Sequence, residues 1–242
     1  MGTGAAAPRA VVPRAVVLCG GRGARLRPYT TVLPKPLMPI GDRPILEIVL
    51  ASLRDAGVRR VTLCVGHLAH LIRAFFDDGS RHGLAIDYAV EDQPLGTIGP
   101  LAFVDDLGED FLVLNGDVLT DLDPMALFRE HLAYGADLTI ATHRREVRVD
   151  FGVLEAGDDG AVRAFAEKPV ERFEVSMGVY AMNRRVLGLF ERGKPFGFDD
   201  LVLGLLASGR PVRRMLHRGE WLDIGRLDDY EAVQSDPRWV KP

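Results

Sequence analysis

Apolar residues recur along this chain with two different periods. Unbroken apolar runs at Ala15–Cys19, Val61–Val65 and Phe111–Leu114 predict strands buried on both faces. Ile45–Ala56 has its apolar positions at helical spacing and ends at Gly57, a residue suited to the left-handed position after a helix. A second helix is expected over Leu68–Asp77 and a short one over Ile98–Asp105, while Leu84–Val90 alternates as a strand does. This succession of strand and helix predicts an α/β fold with a mostly parallel sheet covered on both faces.

The pattern changes after residue 120. Pro124–Tyr134 reads as a helix capped by Asp121 or Asp123. Short strands are expected at Asp137–Thr142, Gly152–Glu155, Ala161–Phe165 and Ser176–Met182, with few helices between them. Helices return at Arg184–Glu191 and Phe198–Ala207, a strand at Val212–Leu216, and a last helix at Leu227–Gln234 after Glu220–Ile224. No linker rich in Gly and Ser divides the chain. We expect a tail over 1–12 and one domain over 13–242, with halves at about 13–120 and 121–235.

The chain has 242 residues and a net charge of −4, which argues against nucleic acid as a partner. No apolar run approaches a bilayer span, so no membrane association is expected. Cys19 and Cys64 lie in apolar runs and read as buried thiols in a reducing, cytoplasmic setting. The first apolar run leads into an unusual segment. Cys19–Ile40 holds three glycines, three arginines, one lysine and four prolines in 22 residues. Gly20, Gly21 and Gly23 let backbone approach a ligand closely. Arg22, Arg25, Arg27 and Lys35 add positive charge, and the prolines stiffen the path. A tight turn needs neither the cations nor the prolines; a polyphosphate site uses both. The segment matches neither GxxxxGK[ST] nor GxGxxG. Asp150–Gly152 spells the kinase triplet DFG without the other kinase elements, and we read it as coincidence.

Asp117, in Asn115-Gly116-Asp117, follows a buried strand and should face the crevice at the carboxyl end of the sheet. Trp221 and Asp223 sit two apart in a strand-like run. Two aspartates beside a triphosphate suggest Mg²⁺, a cation that takes oxygen ligands. Glu167-Lys168-Pro169 follows the predicted strand Ala161–Phe165, which would aim it off a sheet end. Gln93-Pro94-Leu95-Gly96-Thr97 forms a further loop, with Thr97 capping the next helix.

In order, GGRGARLRP with PKPLMPI, then QPLGT, NGD, EKP, SMGVY and WLDIG resemble the sugar-1-phosphate nucleotidylyltransferases. The resemblance runs from about 15 to 235 and implies a Rossmann-like nucleotidyltransferase fold with a mixed, mostly parallel sheet. It implies that Cys19, Gly20, Gly21, Gly23, Arg25, Gln93, Leu95, Gly96, Thr97, Asn115 and Gly116 meet the nucleotide. Arg25, Lys35, Asp117, Lys168 and Asp223 would be catalytic, with Asp117 and Asp223 holding Mg²⁺. Gly152, Glu167, Lys168, Ser176 and Trp221 would meet the sugar phosphate. Ala24 and Ile98 depart from the family's usual Thr and Ala. QPLGTIGPL is similar to the guanylyl-transferring branch, so GTP and a mannose- or heptose-type 1-phosphate are favoured, with UTP next. A uridylyl-, thymidylyl- or cytidylyl-transferring member is the alternative. Two other classes remain: a silent nucleotide-sugar-binding regulatory subunit, and a glycosyltransferase using Asp121-Leu122-Asp123. The chain ends 19 residues after Asp223, so no C-terminal β-helix is expected. A homo-oligomer is left open.

Overall fold

The computed structural model describes residues 12–240. The tail expected over 1–12 falls almost wholly on residues 1–11, outside the described ones. In chain order the strands are β1 (Ala15–Leu18), β2 (Pro39–Ile40), β3 (Arg43–Pro44), β4 (Arg60–Val65), β5 (Ala85–Val90), β6 (Asp110–Asn115), β7 (Val118–Thr120), β8 (Leu138–Arg148), β9 (Val153–Ala156), β10 (Val162–Ala166), β11 (Val170–Asn183), β12 (Val212–His217) and β13 (Trp221–Asp223). The helices are α1 (Ile45–Asp55), α2 (Ala69–Phe76), α3 (Pro124–Tyr134), α4 (Phe198–Ala207) and α5 (Leu227–Gln234).

Seven strands form the central sheet in the order β12-β8-β11-β6-β1-β4-β5. Only β11 runs against the others, pairing antiparallel with both β6 and β8. The sheet is therefore mixed and mostly parallel. Strand alternation divides the core between its two faces. Ala15 and Val17 of β1 join a cluster with Leu46 and Leu50 of α1, Ile72 of α2 and Phe128 of α3. Val16, between them, joins the opposite cluster with Leu101, Val186, and Leu201 of α4. Gly57, at φ 101°, closes α1, its N–H donating to the Arg54 carbonyl. Asp123, not Asp121, caps α3, accepting from the Met125 N–H at 2.8 Å.

Several expectations are corrected. The glycine- and proline-rich segment folds into three 3-10 turns, at Ala24–Leu26, Tyr29–Thr31 and Lys35–Leu37. Ile98–Asp105 is a 3-10 turn over Gly99–Phe103, and Thr97 does not cap it. Instead the Phe196 carbonyl accepts from the N–H groups of Ile98 and Gly99. Arg184–Glu191 is likewise a 3-10 turn, Arg184–Leu189, whose Asn183 side chain accepts from the Arg185 N–H.

The two short strands at Asp137–Thr142 and Ser176–Met182 are the inner halves of β8 and β11. Their outer halves, Arg144–Arg148 and Val170–Glu174, are exposed and pair only with each other. Polar residues on both faces hid them from a reading based on burial. β9 and β10 form a separate two-stranded ribbon. Together these strands make an arm that extends from the sheet. The ladder between β8 and β11 shifts register between Ser176 and Tyr180, where Gly178 takes φ 76°. A Cβ there would meet the Asn115 Nδ2 at 2.6 Å, so the arm leaves the sheet beside the carboxyl end of β6.

Candidate active site

Parallel strands place their carboxyl ends on one edge, and β1, β4, β5 and β6 all end there. Cys19 follows β1 and Asn115 ends β6, in register beside Leu18. The Gly116 N–H donates to the Leu18 carbonyl at 3.0 Å, and a Cβ on Gly116 would meet the Cys19 Sγ at 2.6 Å. Asp117 is thereby held next to the glycine loop. Cys19 and Cys64 are free and buried, and burial pushes both thiols up, Cys64 to about 12. They pack as neutral groups.

Three clefts meet on this edge. The first, of about 250 Å³, is lined by Gly21, Gly23, Arg25, Lys35, Gly116 and Asp117. The second, of about 460 Å³, is lined by Gly20, Gly21, Glu91, Leu95, Gly96, Thr97, Asn115 and Asp117, among others. The third, of about 550 Å³, includes His143, Trp221, Asp223 and Arg226. Arg25 lines all three. Its guanidinium lies against Gly225, where an added Cβ would stand 3.5 Å from Nη2.

The two aspartates, 106 positions apart, converge through a small sheet. β13 pairs antiparallel with β7, setting Asp223 opposite Val118, the residue after Asp117. The Ile224 N–H donates to the Asp117 carbonyl at 3.2 Å. Lys35 pairs with the Asp117 Oδ2, while among the described residues Asp117 Oδ1 is buried without a partner, as is Asn115 Oδ1. Burial holds Asp223 above the usual carboxylate range, and the negative Asp117 pushes it further up. Lys35 and Arg25 oppose that shift, so two acids and two cations share one field.

The remaining expected residues divide. Gln93 lies beside the second cleft, in a small pocket with Arg22, His67 and Glu91. The Trp221 Nε1 donates to the Met177 carbonyl at 3.0 Å, and Ser176 donates to the Tyr180 hydroxyl. Gly152, Glu167 and Lys168 line none of the three clefts. They stand on the arm, because the strand preceding Glu167 belongs to the separate ribbon and not to the central sheet. A Cβ on Gly152 would lie 3.2 Å from the Glu167 Oε2, so those two are neighbours.

Glu91 escaped the sequence reading. It follows β5 and reaches across the second cleft, where Oε2 accepts from the Leu95 N–H at 3.2 Å. Oε1 fills the space that a Cβ on Gly20 or Gly66 would need. Burial raises it above the ordinary carboxylate range, against that hydrogen bond. The available signal was an acid ending an alternating strand. Gly96 is fixed in the same loop by φ 76° and by the Phe196 carbonyl, 2.7 Å from where its Cβ would be. Among the described residues no helix is long and apolar enough to cross a membrane.

The nucleotidyl transferase family matches residues 14–238. The chain belongs to this family. It is 34% identical to a UTP–glucose-1-phosphate uridylyltransferase of Synechocystis, over 92% of this chain and 63% of the relative. It is 35% identical to a mannose-1-phosphate guanylyltransferase catalytic subunit beta of Drosophila pseudoobscura, over 90% and 60%. It is 31% identical to the D-glycero-alpha-D-manno-heptose 1-phosphate guanylyltransferase of Aneurinibacillus thermoaerophilus, over 92% and 97%. Among solved structures, HddC of Yersinia pseudotuberculosis complexed with GMP-PN superposes with a TM-score of 0.70 at 25% identity, covering 92% of this chain and 98% of that one. Against the first two relatives this chain spans about 60% of their length.

Proposed function

We propose that this chain transfers a nucleotidyl group from an NTP, with GTP favoured, to a mannose- or heptose-type sugar 1-phosphate, releasing pyrophosphate. Arg25 carries the reading: one guanidinium, without an ion-pair or hydrogen-bond partner among the described residues, lines the glycine-loop cleft, the Leu95–Thr97 cleft and the acceptor cavity together. On this reading residues 13–242 form one catalytic unit, the nucleotide lying on the half up to about 120 and the acceptor on the half beyond. The guanylyltransferase relatives support GTP. The uridylyltransferase relative supports UTP with glucose 1-phosphate as the second reading.

The site residues fit a divalent metal of the Mg²⁺ type. The donors are carboxylate oxygens, one of them, Asp117 Oδ1, buried without a partner among the described residues, and Asp223 is destabilised as an anion by burial and then by its neighbour Asp117. Asp117 and Asp223 would hold the ion, which supplies charge neutralisation on the phosphates when bound.

The chain's own groups do the rest. A sugar phosphate is ionised at neutral pH, so its oxygen attacks the α-phosphorus without a general base. What remains is positioning in line and stabilising charge. Gly20, Gly21 and Gly23 admit the phosphates to the backbone. Arg25 holds the α-phosphate and Lys35 the leaving pyrophosphate, and Lys35 also pairs directly with Asp117. Glu91 supports the Leu95–Thr97 loop against the base. Gly152, Glu167, Lys168, Ser176 and Trp221 serve the acceptor. A panel of nucleoside triphosphates crossed with sugar 1-phosphates, read by pyrophosphate release, tests this. Pyrophosphate from GTP with mannose 1-phosphate supports it, and no release with any pair overturns it in favour of a silent binding subunit.

A further inference from the structure

The last helix closes a ring of contacts around Lys35. α5 follows β13 closely, and the Gly225 N–H between them donates to the Asp223 carbonyl at 2.8 Å. Asp229 fixes the start of the helix by accepting from the Arg226 N–H at 2.9 Å. Tyr230 and Gln234 lie four apart, so they share one face of α5. That face meets the proline-rich segment. The Tyr230 hydroxyl donates to the Pro39 carbonyl at 2.6 Å, and the Gln234 Nε2 donates to the same oxygen. The Gln234 Oε1 accepts from the Gly41 N–H at 3.3 Å. Val240 packs over Gly41, where an added Cβ would stand 3.1 Å from its Cγ1.

The path from Pro39 back to Lys35 is short and stiff. The Leu37 N–H donates to the Pro34 carbonyl at 2.8 Å, and the Met38 N–H to the Lys35 carbonyl at 3.0 Å. Pro36 and Pro39 fix φ along it. Lys35 then pairs with Asp117, whose carbonyl accepts from the Ile224 N–H, just ahead of α5. The ring therefore runs from Lys35 through Asp117, β13 and α5 to Pro39 and back. A lysine carries its charge on a flexible stem, so the placement of that charge depends on what holds the backbone beneath it. When phosphates compete with Asp117 for the ammonium, the grip of α5 is the part of the ring that stays closed.

We propose that Tyr230 and Gln234 are positioning residues, which clamp the backbone of 39–41 and so hold Lys35 toward the nucleotide's phosphates. The part Lys35 plays in transfer rests on the function proposed above; the effect of the clamp on nucleotide binding does not.

Tyr230→Phe combined with Gln234→Leu removes the three hydrogen bonds and nearly keeps the side-chain volumes. A double-mutant cycle with Lys35→Gln tests whether the clamp acts through Lys35. In the wild-type background the clamp variant, assayed with GTP and mannose 1-phosphate well below its unfolding midpoint, should lose about tenfold or more in kcat. Its KM for mannose 1-phosphate should stay within about twofold. In the Lys35→Gln background the same change should cost less than about twofold. A clamp that serves stability alone would lower the urea midpoint and leave kcat unchanged, and that result overturns the proposal. Losses that multiply across the two backgrounds overturn it as well. Should Lys35→Gln not fold, the split between kcat and KM in the clamp variant decides. Calorimetry with GTP and Mg²⁺ repeats the cycle without turnover. Coupled losses of affinity in a protein that releases no pyrophosphate would overturn the proposed activity and leave the clamp standing, whereas additive losses there would overturn the clamp.

Discussion

Lys35 and Asp117 form an ion pair that leaves one oxygen of the aspartate buried and without a partner among the described residues. A carboxylate oxygen buried and left unsatisfied in this way is costly unless a ligand completes it. The cost is tolerable because Asp117 sits where three clefts and a second aspartate meet.

The first prediction concerns these acids. Asp117→Ala and Asp223→Ala should each lower turnover on the order of 10²–10³-fold or more, with the circular dichroism spectrum unchanged. Near-full Mg²⁺-dependent pyrophosphate release in either variant would remove the metal role.

Arg25 is the point common to the clefts. Arg25→Ala should reduce kcat by on the order of a hundredfold or more while the chain stays folded, since the guanidinium lies beside Gly225 and faces three open clefts. A change in KM alone, with kcat within about tenfold, would restrict Arg25 to ground-state binding.

Asp137 is buried between Arg185 and Arg210, with bonds of 2.7 Å to each. Asp137→Ala leaves two cations without their acceptor at the junction of β8, α4 and the turn after β11. The partners are partly solvated, so a loss of about 2–3 kcal/mol is expected, below that of a fully buried pair. Urea denaturation measures it, and a loss under about 0.5 kcal/mol would show that solvent replaces the pair.

His131 gives the stability a pH dependence. The ring is buried against Thr139 and Asp110, and burial lowers its proton affinity despite the nearby carboxylates of Asp110 and Asp137. A lowered folded value means that the unfolded chain binds the proton first. Stability is therefore full above about pH 6.5 and declines as the pH falls through the lowered folded value. Denaturation midpoints from pH 8 to 5 should show this fall, and His131→Gln should flatten it. An unchanged slope in the variant would place the pH dependence elsewhere.

Much of the fold was legible because local composition carries it. The apolar runs of β1, β4 and β6 announce strands buried on both faces, and α1 shows its stripe and its closing Gly57. The glycine loop was legible for the same reason: its special backbone and charge are written in consecutive residues. The exposed halves of β8 and β11 were not, because their pairing is made by backbone groups and leaves no apolar face to mark it. Glu91 was missed for a related reason, since an acid ending a strand looks like any solvated residue until Gly20 and Gly66 are seen to make room for it.

Residue order alone settled what was near in sequence: the buried strands, the cationic loop and the order of motifs that mark the family. Which distant groups meet was decided by the folded chain. Asp223 reaches Asp117 only because β13 pairs with β7. The turn at Glu167 and Lys168 leaves the site edge only because its strand pairs in a separate ribbon. Such pairings depend on register and sheet order, which set long-range geometry through backbone hydrogen bonds that every residue type can make.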